Sequence, residues 1–205
     1  KFNDKDDRAF ITTQSVKKLK SFLMDWALSP EGWSLNNDTK TYNLNELELT
    51  EDSRSLYKDK TLYKERWIKE NDLEQRLIVT YSMKYKDYQR QIRNSQIERA
   101  RKVIGSNLTK LKKCNSNDYK RFIKQTTCTV DGEIAENKTY SINTNIIAKE
   151  ELFDGFYAVC TNLEDDINSI IKINHRRWEI EESFRIMKSE FKARPVYLKR
   201  DDRIK

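Results

Sequence analysis

The chain has 205 residues, of which 36% are charged and 37% hydrophobic, and its formal net charge is +7 at pH 7. This length fits one domain, or one domain with an insertion, and the positive charge favours a polyanionic partner, either nucleic acid or an anionic membrane surface. The 4 glycines and 2 prolines disfavour an architecture of short strands and tight turns. No apolar run approaches the roughly 18 residues that cross a bilayer, and no signal peptide is visible, so we expect a cytoplasmic protein without a membrane partner.

The 3 cysteines and the 1 histidine do not form a metal-binding pattern. Cys114, Cys128 and Cys160 are far apart and contain no C-x-x-C pair, and His175 cannot complete a zinc site with them. We therefore expect reduced, structural thiols.

The first part of the chain alternates between strand and helix patterns. Residues 8–13, RAFITT, are typical of a short strand. Ser15 is a candidate N-cap for a helix that stops at Ser29 and Pro30, because the residue before a proline disfavours helix. Further along we expect a strand at 41–44, an exposed acidic segment at 46–52, and a strand or helix at 56–67. The strongest strand pattern is QRLIVTYSMKY, residues 75–85, which is rich in β-branched and aromatic side chains.

A long basic helix is predicted over residues 86–104, and Gly105 ends it. One face of this helix carries Tyr88, Ile92, Gln96, Ala100 and Val103. Much of the remaining surface carries the cations Lys86, Arg90, Arg93, Arg99, Arg101 and Lys102. Such a surface is either simply solvated or contacts phosphates, and the pattern leaves both interpretations open. Lys110, Lys112 and Lys113 form a short basic cluster just beyond it.

The rest of the chain is predicted as a mixture of short elements. In chain order these are a strand or short helix at 119–129, a turn at Asp131 and Gly132, a strand at 139–142, a helix at 146–153, a buried strand at 155–160, a helix at 165–174 and a helix at 176–191.

The last of these helices, which begins RRWEIEESFRIMK, carries the candidate site. With Arg177 placed at zero and about 100° per residue, Glu181 lies near 40° and Lys188 near 20°. An adjacent stripe, expected to face a core, contains Ile180, Phe184, Met187 and Phe191. A carboxylate and two cations at the edge of a buried face suit the binding of a metal and of phosphates. The alternative is an ordinary solvated pair, since Arg177 and Glu181 are four residues apart.

This segment resembles the signature of bacterial insertion-sequence transposases of the Asp-Asp-Glu type, in the IS-four-like group. Arg177, Glu181 and Lys188 match the spacing of the pattern Y-x-x-R-x-x-x-E-x-x-x-x-x-x-K. Asn174 stands where the family usually has tyrosine, which puts in doubt a DNA contact made by that ring. The following segment KARPVYLKRDDRIK and the preceding strand DGFYAVCTN are also similar to this group.

The resemblance implies an α/β fold, the C-terminal part of an RNase H-like catalytic core that is interrupted by a large mixed α+β insertion. Residues 1–14 would border the core, 15–150 would be the insertion, and 151–205 would complete the core with the signature helix. Glu181 would be the last acidic ligand of two Mg²⁺ or Mn²⁺ ions, and Arg177 and Lys188 would contact DNA phosphates. The complete protein would cleave and join transposon-end DNA, and transposases of this kind usually act as homodimers.

The resemblance also implies two catalytic aspartates, both expected upstream of Lys1, so this chain is expected to be a fragment that does not cleave DNA alone. Asp4, Asp6 and Asp7 are poor substitutes, because no family motif surrounds them. For Asp154 a role in a turn or at the start of a strand is favoured over catalysis. Two other functions remain open: an RNase H-like nuclease that only cuts, and a non-catalytic DNA-binding or oligomerisation module that uses helix 86–104.

Overall fold

The computed structural model describes residues 8–70, 72–106, 118–127 and 138–191. It has a mixed α/β architecture and divides into two compact units. Unit 1 combines the residues up to Thr12 with those from Thr161 onward, and unit 2 is Thr13–Cys160. In the described residues no helix is long and apolar enough to cross a membrane.

The strands are β1 (Ile11–Gln14), β2 (Trp33–Ser34), β3 (Thr41–Tyr42), β4 (Thr61–Glu70), β5 (Leu73–Ser82), β6 (Ile123–Thr127), β7 (Lys138–Ile142) and β8 (Phe156–Thr161). The α-helices are α1 (Ser21–Leu28), α2 (Leu44–Glu48), α3 (Glu51–Tyr57), α4 (Met83–Gly105), α5 (Thr144–Glu151), α6 (Ile167–His175) and α7 (Arg177–Ser189). Short 3₁₀ turns occupy Val16–Lys18 and Tyr119–Phe122.

The main sheet has six strands in the order β1-β8-β5-β4-β2-β3 and is mostly antiparallel. Its centre is the β4–β5 hairpin, in which ten residue pairs run from Thr61 opposite Ser82 to Glu70 opposite Leu73. Every residue of β5 from Arg76 to Tyr81 is buried, because this strand has a neighbour on each side and is covered on both faces. The strands β6 and β7 form a separate antiparallel pair.

The strong strand pattern at 75–85 is confirmed, although the strand ends at Ser82. The Ser82 hydroxyl accepts a hydrogen bond from the backbone N–H of Tyr85, so Ser82 is the N-cap of α4, which begins three residues before its predicted start. The end of α4 at Gly105 agrees with the prediction. The ambiguous segment 56–67 contains the end of α3 and most of β4.

The helix predicted from Ser15 differs from the structure. Val16–Lys18 form only a 3₁₀ turn, and Leu19 and Lys20 are extended, with ψ of 153° and 147°, before α1 begins at Ser21. A continuous α-helix cannot pass through two extended residues. The helix does end before Ser29 and Pro30, as the proline predicts.

An aromatic cluster forms the centre of the core of unit 2. Trp33 is fully buried, and its indole N–H donates to the Ser29 carbonyl at 2.9 Å. The Tyr81 and Phe156 rings lie 4.9 Å apart, and Trp33 lies within 6 Å of both. Gly155, with φ of 85°, permits this approach, because a Cβ there would lie 2.8 Å from the Tyr81 ring. A second cluster contains Ile97, Ala100, Phe122 and Ile123 and joins α4 to the β6–β7 pair.

A buried ion pair joins α4 to the turn before β8. The two Arg93 terminal nitrogens donate to the two Asp154 carboxylate oxygens at 2.7 and 2.5 Å, and both side chains are about 5% exposed. The hydrogen bond to Asp154 raises the pKa of Arg93. The sequence prediction that placed Arg93 on an exposed basic face is therefore wrong, because Asp154 draws it into the core. Asp154 itself lies in the turn that enters β8, as the sequence analysis favoured.

We expect Asp154→Ala to lower the free energy of unfolding by about 3–5 kcal/mol, because it leaves the buried Arg93 guanidinium with only the half-exposed Glu151 carboxylate, at 3.5 Å. Urea denaturation measures this loss. The matched control is Glu98→Ala, which breaks the exposed Glu98–Arg101 pair and should cost less than about 1 kcal/mol. Equal effects of the two variants would contradict the structural role of the buried pair.

Lys64 belongs to β4, and its buried side chain binds the C-terminal end of α1. Its ammonium donates to the carbonyls of Ser29 at 2.8 Å and Trp26 at 3.3 Å, and it lies 4.8 Å from the centre of the Trp33 ring. Burial lowers the pKa of Lys64 from 10.5 to about 8. The folded state therefore binds this proton less tightly than the unfolded state. Protonated Lys64 thus lowers the free energy of unfolding, and this destabilisation has its full value below pH 8.

As the pH rises from 8 towards 10.5, the destabilisation caused by the buried Lys64 disappears. We expect the stability difference between the wild type and Lys64→Met to shift in favour of the wild type by up to about 3 kcal/mol. Urea denaturation of both proteins at pH 7.5 and 10 measures the shift, with the exposed Lys69→Met as a control for the loss of one lysine. A stability difference that does not change with pH would show that Lys64 is not desolvated.

Candidate functional site

The candidate site lies on α7, which follows α6 after a single break at Arg176. The α6 N-terminus is capped by the Asp166 carboxylate, which accepts hydrogen bonds from the backbone N–H groups of Asn168 and Ser169. Both helices were predicted from the sequence, and their observed ends agree with the prediction to within two residues. Arg176 ends α6 with helical dihedrals and precedes α7, so the two helices are joined without a loop.

Arg177, Glu181 and Lys188 occupy one strip of α7. An Arg177 guanidinium nitrogen lies 3.7 Å from a Glu181 carboxylate oxygen, with side chains 48% and 72% exposed. Lys188 is also exposed and lies two helical turns further along, about 10 Å away by helix geometry. The structure therefore brings the first two residues into contact and leaves the third on the same strip without a contact to Glu181.

The apolar stripe next to this strip is not buried, which differs from the sequence prediction. Ile180 is 61% exposed, Phe184 57%, Met187 47% and Phe191 75%. The described part of unit 1 contains α6, α7 and the ends of β1 and β8. Glu181 consequently lies on an open helix surface and not at the edge of a core.

The residues present provide only part of a divalent-metal site. A carboxylate such as Glu181 is a suitable Mg²⁺ ligand, but its neighbour in the structure is a guanidinium. In residues 8–70, 72–106, 118–127 and 138–191 no group of three or more His, Cys, Asp or Glu side chains could hold a metal ion. The aspartates Asp4, Asp6 and Asp7 lie outside the described residues. Glu181 alone therefore does not fit a complete metal centre.

The second candidate surface is the basic helix α4. In the structure several of its cations form ion pairs with carboxylates of the same fold. Lys86 binds both oxygens of the Glu48 carboxylate at 2.7 and 2.6 Å, and Arg90 lies 3.5 Å from Asp154, which Arg93 also binds. Lys86 and Arg93 are therefore engaged within the fold, whereas Arg90 shares the Asp154 carboxylate with Arg93 and stays 45% exposed. The sequence could not reveal this, because the partner carboxylates are 38 to 64 residues away along the chain.

The cations that stay at the α4 surface are a smaller set. Arg101 pairs with Glu98 at 2.9 Å, and Lys84 lies 3.6 Å from Asp59. Arg99 and Lys102 are exposed and have no carboxylate partner in the part of the chain that the structure describes. The basic cluster of Lys110, Lys112 and Lys113 lies outside that part.

We expect Glu181→Ala to change the free energy of unfolding by less than about 1 kcal/mol, because an exposed pair four residues apart contributes little to stability. Urea denaturation together with the helical circular dichroism signal measures this. A loss of several kcal/mol would mean that Glu181 is a structural residue and would remove it from the candidate site.

No known protein family, curated protein or solved structure matches the chain. The choice among possible functions therefore rests on the residues of the two candidate surfaces.

Proposed function

We propose that this chain is the C-terminal part of an RNase H-like transposase of the Asp-Asp-Glu type and acts in DNA transposition. The observation that carries the proposal is the strip of α7, on which Arg177, Glu181 and Lys188 occur at the spacing of the family signature and are all exposed. A strip of this kind is accessible to a large, highly charged substrate such as DNA.

The ion pairs of the protein differ in burial and distance, and this difference separates charges that hold the fold together from charges that lie in solvent. The two terminal nitrogens of Arg93 donate to Asp154 inside the core at hydrogen-bond distance. Arg177 and Glu181 are only loosely associated, at 3.7 Å in solvent, so separating them costs little. The Glu181 carboxylate can therefore turn to another cation.

The exposed stripe of α7 supports the proposed fold of the complete protein. An amphipathic helix gains most of its stability by burying such a stripe against a sheet or another helix. In the proposed domain organisation, residues 1–14 and 151–205 belong to the RNase H-like core and 15–150 form the insertion. Unit 1 contains the residues up to Thr12 and those from Thr161 onward, whereas residues 13–14 and 151–160 of the proposed core group with the proposed insertion in unit 2.

Each residue of the strip has a distinct proposed role. Arg177 and Lys188 bind phosphates of the transposon end and hold the DNA along α7. Glu181 contributes one carboxylate ligand to a pair of Mg²⁺ or Mn²⁺ ions in the complete protein, which would supply Lewis-acid activation of the attacking water or 3′-hydroxyl. Because the described residues do not complete that centre, we assign this chain only the binding and orientation of DNA.

In the parent protein, Glu181→Ala should abolish strand cleavage and leave the affinity for transposon-end DNA within about twofold. Cleavage of a labelled transposon end and a gel-shift titration of the same DNA measure the two effects. Glu182→Ala is the matched control, because Glu182 lies one residue away on the same helix and pairs with Arg185 instead. A loss of binding equal to the loss of cleavage would argue that Glu181 is structural.

Lys188→Ala should weaken DNA binding and reduce the slope of log affinity against log salt by about 0.9, the value for one phosphate contact on duplex DNA. Binding titrations between 50 and 200 mM salt measure the slope. Arg185→Ala, which removes a cation already paired with Glu182, should change the slope less. An unchanged slope in Lys188→Ala would refute the phosphate contact.

A second candidate function is a non-catalytic DNA-binding module centred on α4, favoured by the exposed Arg99 and Lys102. It requires that Glu181 be dispensable in the parent protein and that divalent metal have no effect. An RNase H-like nuclease is separated from a transposase by the strand-transfer product, which a nuclease does not form.

A further inference from the structure

Two stacked tyrosines lie on the exposed side of α4. The rings of Tyr85 and Tyr88 are 6.5 Å apart and inclined by only 22°. Tyr88 is 57% exposed, and Ile92, one turn further along, is 42% exposed. Large apolar side chains on a helix in the middle of a charged chain are expected to face the core, and these do not.

Helix geometry places the two tyrosines and Ile92 on the same face of α4 as Arg99 and Lys102, the cations without a carboxylate partner among the described residues. At about 100° per residue, Tyr85, Tyr88, Ile92 and Arg99 fall within about 60° of one another, and Lys102 adjoins them. We call these five residues the α4 strip. The buried side chains of Arg93, Ile97 and Ala100 are centred about 130° away from the strip by the same geometry.

The strip has no acidic residue. The nearest acids on α4 are Asp87 and Glu98, which lie to one side and bind Arg54 at 2.8 Å and Arg101 at 2.9 Å. The electrostatic character of the strip is therefore positive, set by Arg99 and Lys102. Its partner must be an anion that also has flat, apolar surfaces for the tyrosine rings.

A cavity of about 230 Å³ continues the strip on the side of Ile92 and Gln96. Lys17 lines it and is exposed, with its ammonium 5.2 Å from the centre of the Phe153 ring. The acids of the cavity are already engaged, because Glu150 binds Arg121 at 2.8 Å and Asp154 binds Arg93. Lys17 thus extends the positive surface beyond the helix.

We propose that the α4 strip binds single-stranded DNA, with unpaired bases stacked on Tyr85 and Tyr88 and phosphates bound by Arg99, Lys102 and Lys17. Duplex DNA conceals its base faces, so it would use the cations and leave the tyrosine rings without a partner. An acidic protein surface likewise provides charge but no stacking faces. The choice of DNA over RNA rests on the proposed function, whereas the preference for an unpaired strand rests on the strip alone.

The test uses fluorescence anisotropy of the full chain with a labelled 20-nucleotide thymidine strand, a 20-base-pair duplex and a 20-nucleotide uridine strand. The single DNA strand is expected to bind at least about fivefold more tightly than the duplex at 100 mM salt, and polyglutamate should not displace it. Binding of the duplex at least as tight as that of the single strand, or displacement by polyglutamate, would overturn the proposal. Tighter binding of the uridine strand than of the thymidine strand would overturn the assignment to DNA.

Variants of Tyr88, the more exposed of the two stacked tyrosines, test the stacking. Tyr88→Ala should weaken single-strand binding by about tenfold, and Tyr88→Phe, which keeps the ring, should stay within twofold of the wild type. Tyr88 is exposed, so both variants should keep the wild-type circular dichroism spectrum. Equal losses in the two variants, or no loss in Tyr88→Ala, would refute the role of the ring.

Variants of two neighbouring arginines test the phosphate contact. Arg99→Gln should reduce the salt slope of single-strand binding by about 0.7, whereas Arg101→Gln, which removes the same charge from the opposite side of the helix, should change it less. Equal slopes would mean that only the overall charge matters and would refute the strip. The two proposals have separate readouts: the transposase assignment fails if Glu181→Ala keeps strand cleavage in the parent protein, and the α4 strip fails if Tyr88→Ala keeps single-strand binding.

Discussion

The buried ion pair between Arg93 and Asp154 determines how the long helix α4 lies in unit 2. Both charged groups lose their hydration on folding, so each depends on the other for hydrogen bonds at 2.5 to 2.7 Å. The pair fixes the rotation of α4 about its axis, because a turn of the helix would withdraw Arg93 from the carboxylate that binds both of its terminal nitrogens. Gly155 follows immediately and allows the chain to enter β8 against Tyr81. The position of the helix, the entry into β8 and the aromatic core are thus parts of one arrangement.

This arrangement divides the positive charge of the protein into two classes. Lys64, Lys86 and Arg93 are held by carbonyl or carboxylate oxygens within the fold and are unavailable to a partner. Arg99, Lys102, Arg177 and Lys188 are exposed, and they occur on two helices that belong to different units. A formal net charge describes neither class, because it counts a cation that anchors the core in the same way as a cation that can bind phosphate.

The sequence predicted elements well where a local signal was strong. The helix ended by Gly105 and the strand rich in β-branched residues both exist, since turn chemistry and side-chain shape act within a few residues. The buried face of α4 could not be predicted, because Arg93 reads as a surface residue until its partner 61 residues away is known. Segment 56–67 was ambiguous because it is rich in tyrosine and lysine. In the structure Lys64 is buried in β4, where its ammonium donates to the carbonyl groups of Trp26 and Ser29. For the candidate site, the sequence located Arg177 and Glu181 one turn apart, but exposure depends on what packs against α7, which no local pattern contains.

The place of β1 in the sheet has a consequence for the order of folding. The β4–β5 hairpin and α4 are continuous in sequence, so their contacts close only short loops and can form early. The strand β1 lies beside β8 at one edge of the sheet, and there the Thr161 hydroxyl donates to the Phe10 carbonyl at 2.6 Å across 151 residues. Closing so long a loop carries the largest entropic cost of the contacts described here. The edge strand β1 is therefore expected to join the sheet last and to separate first, and hydrogen exchange of its amides should report local opening well below the global unfolding free energy.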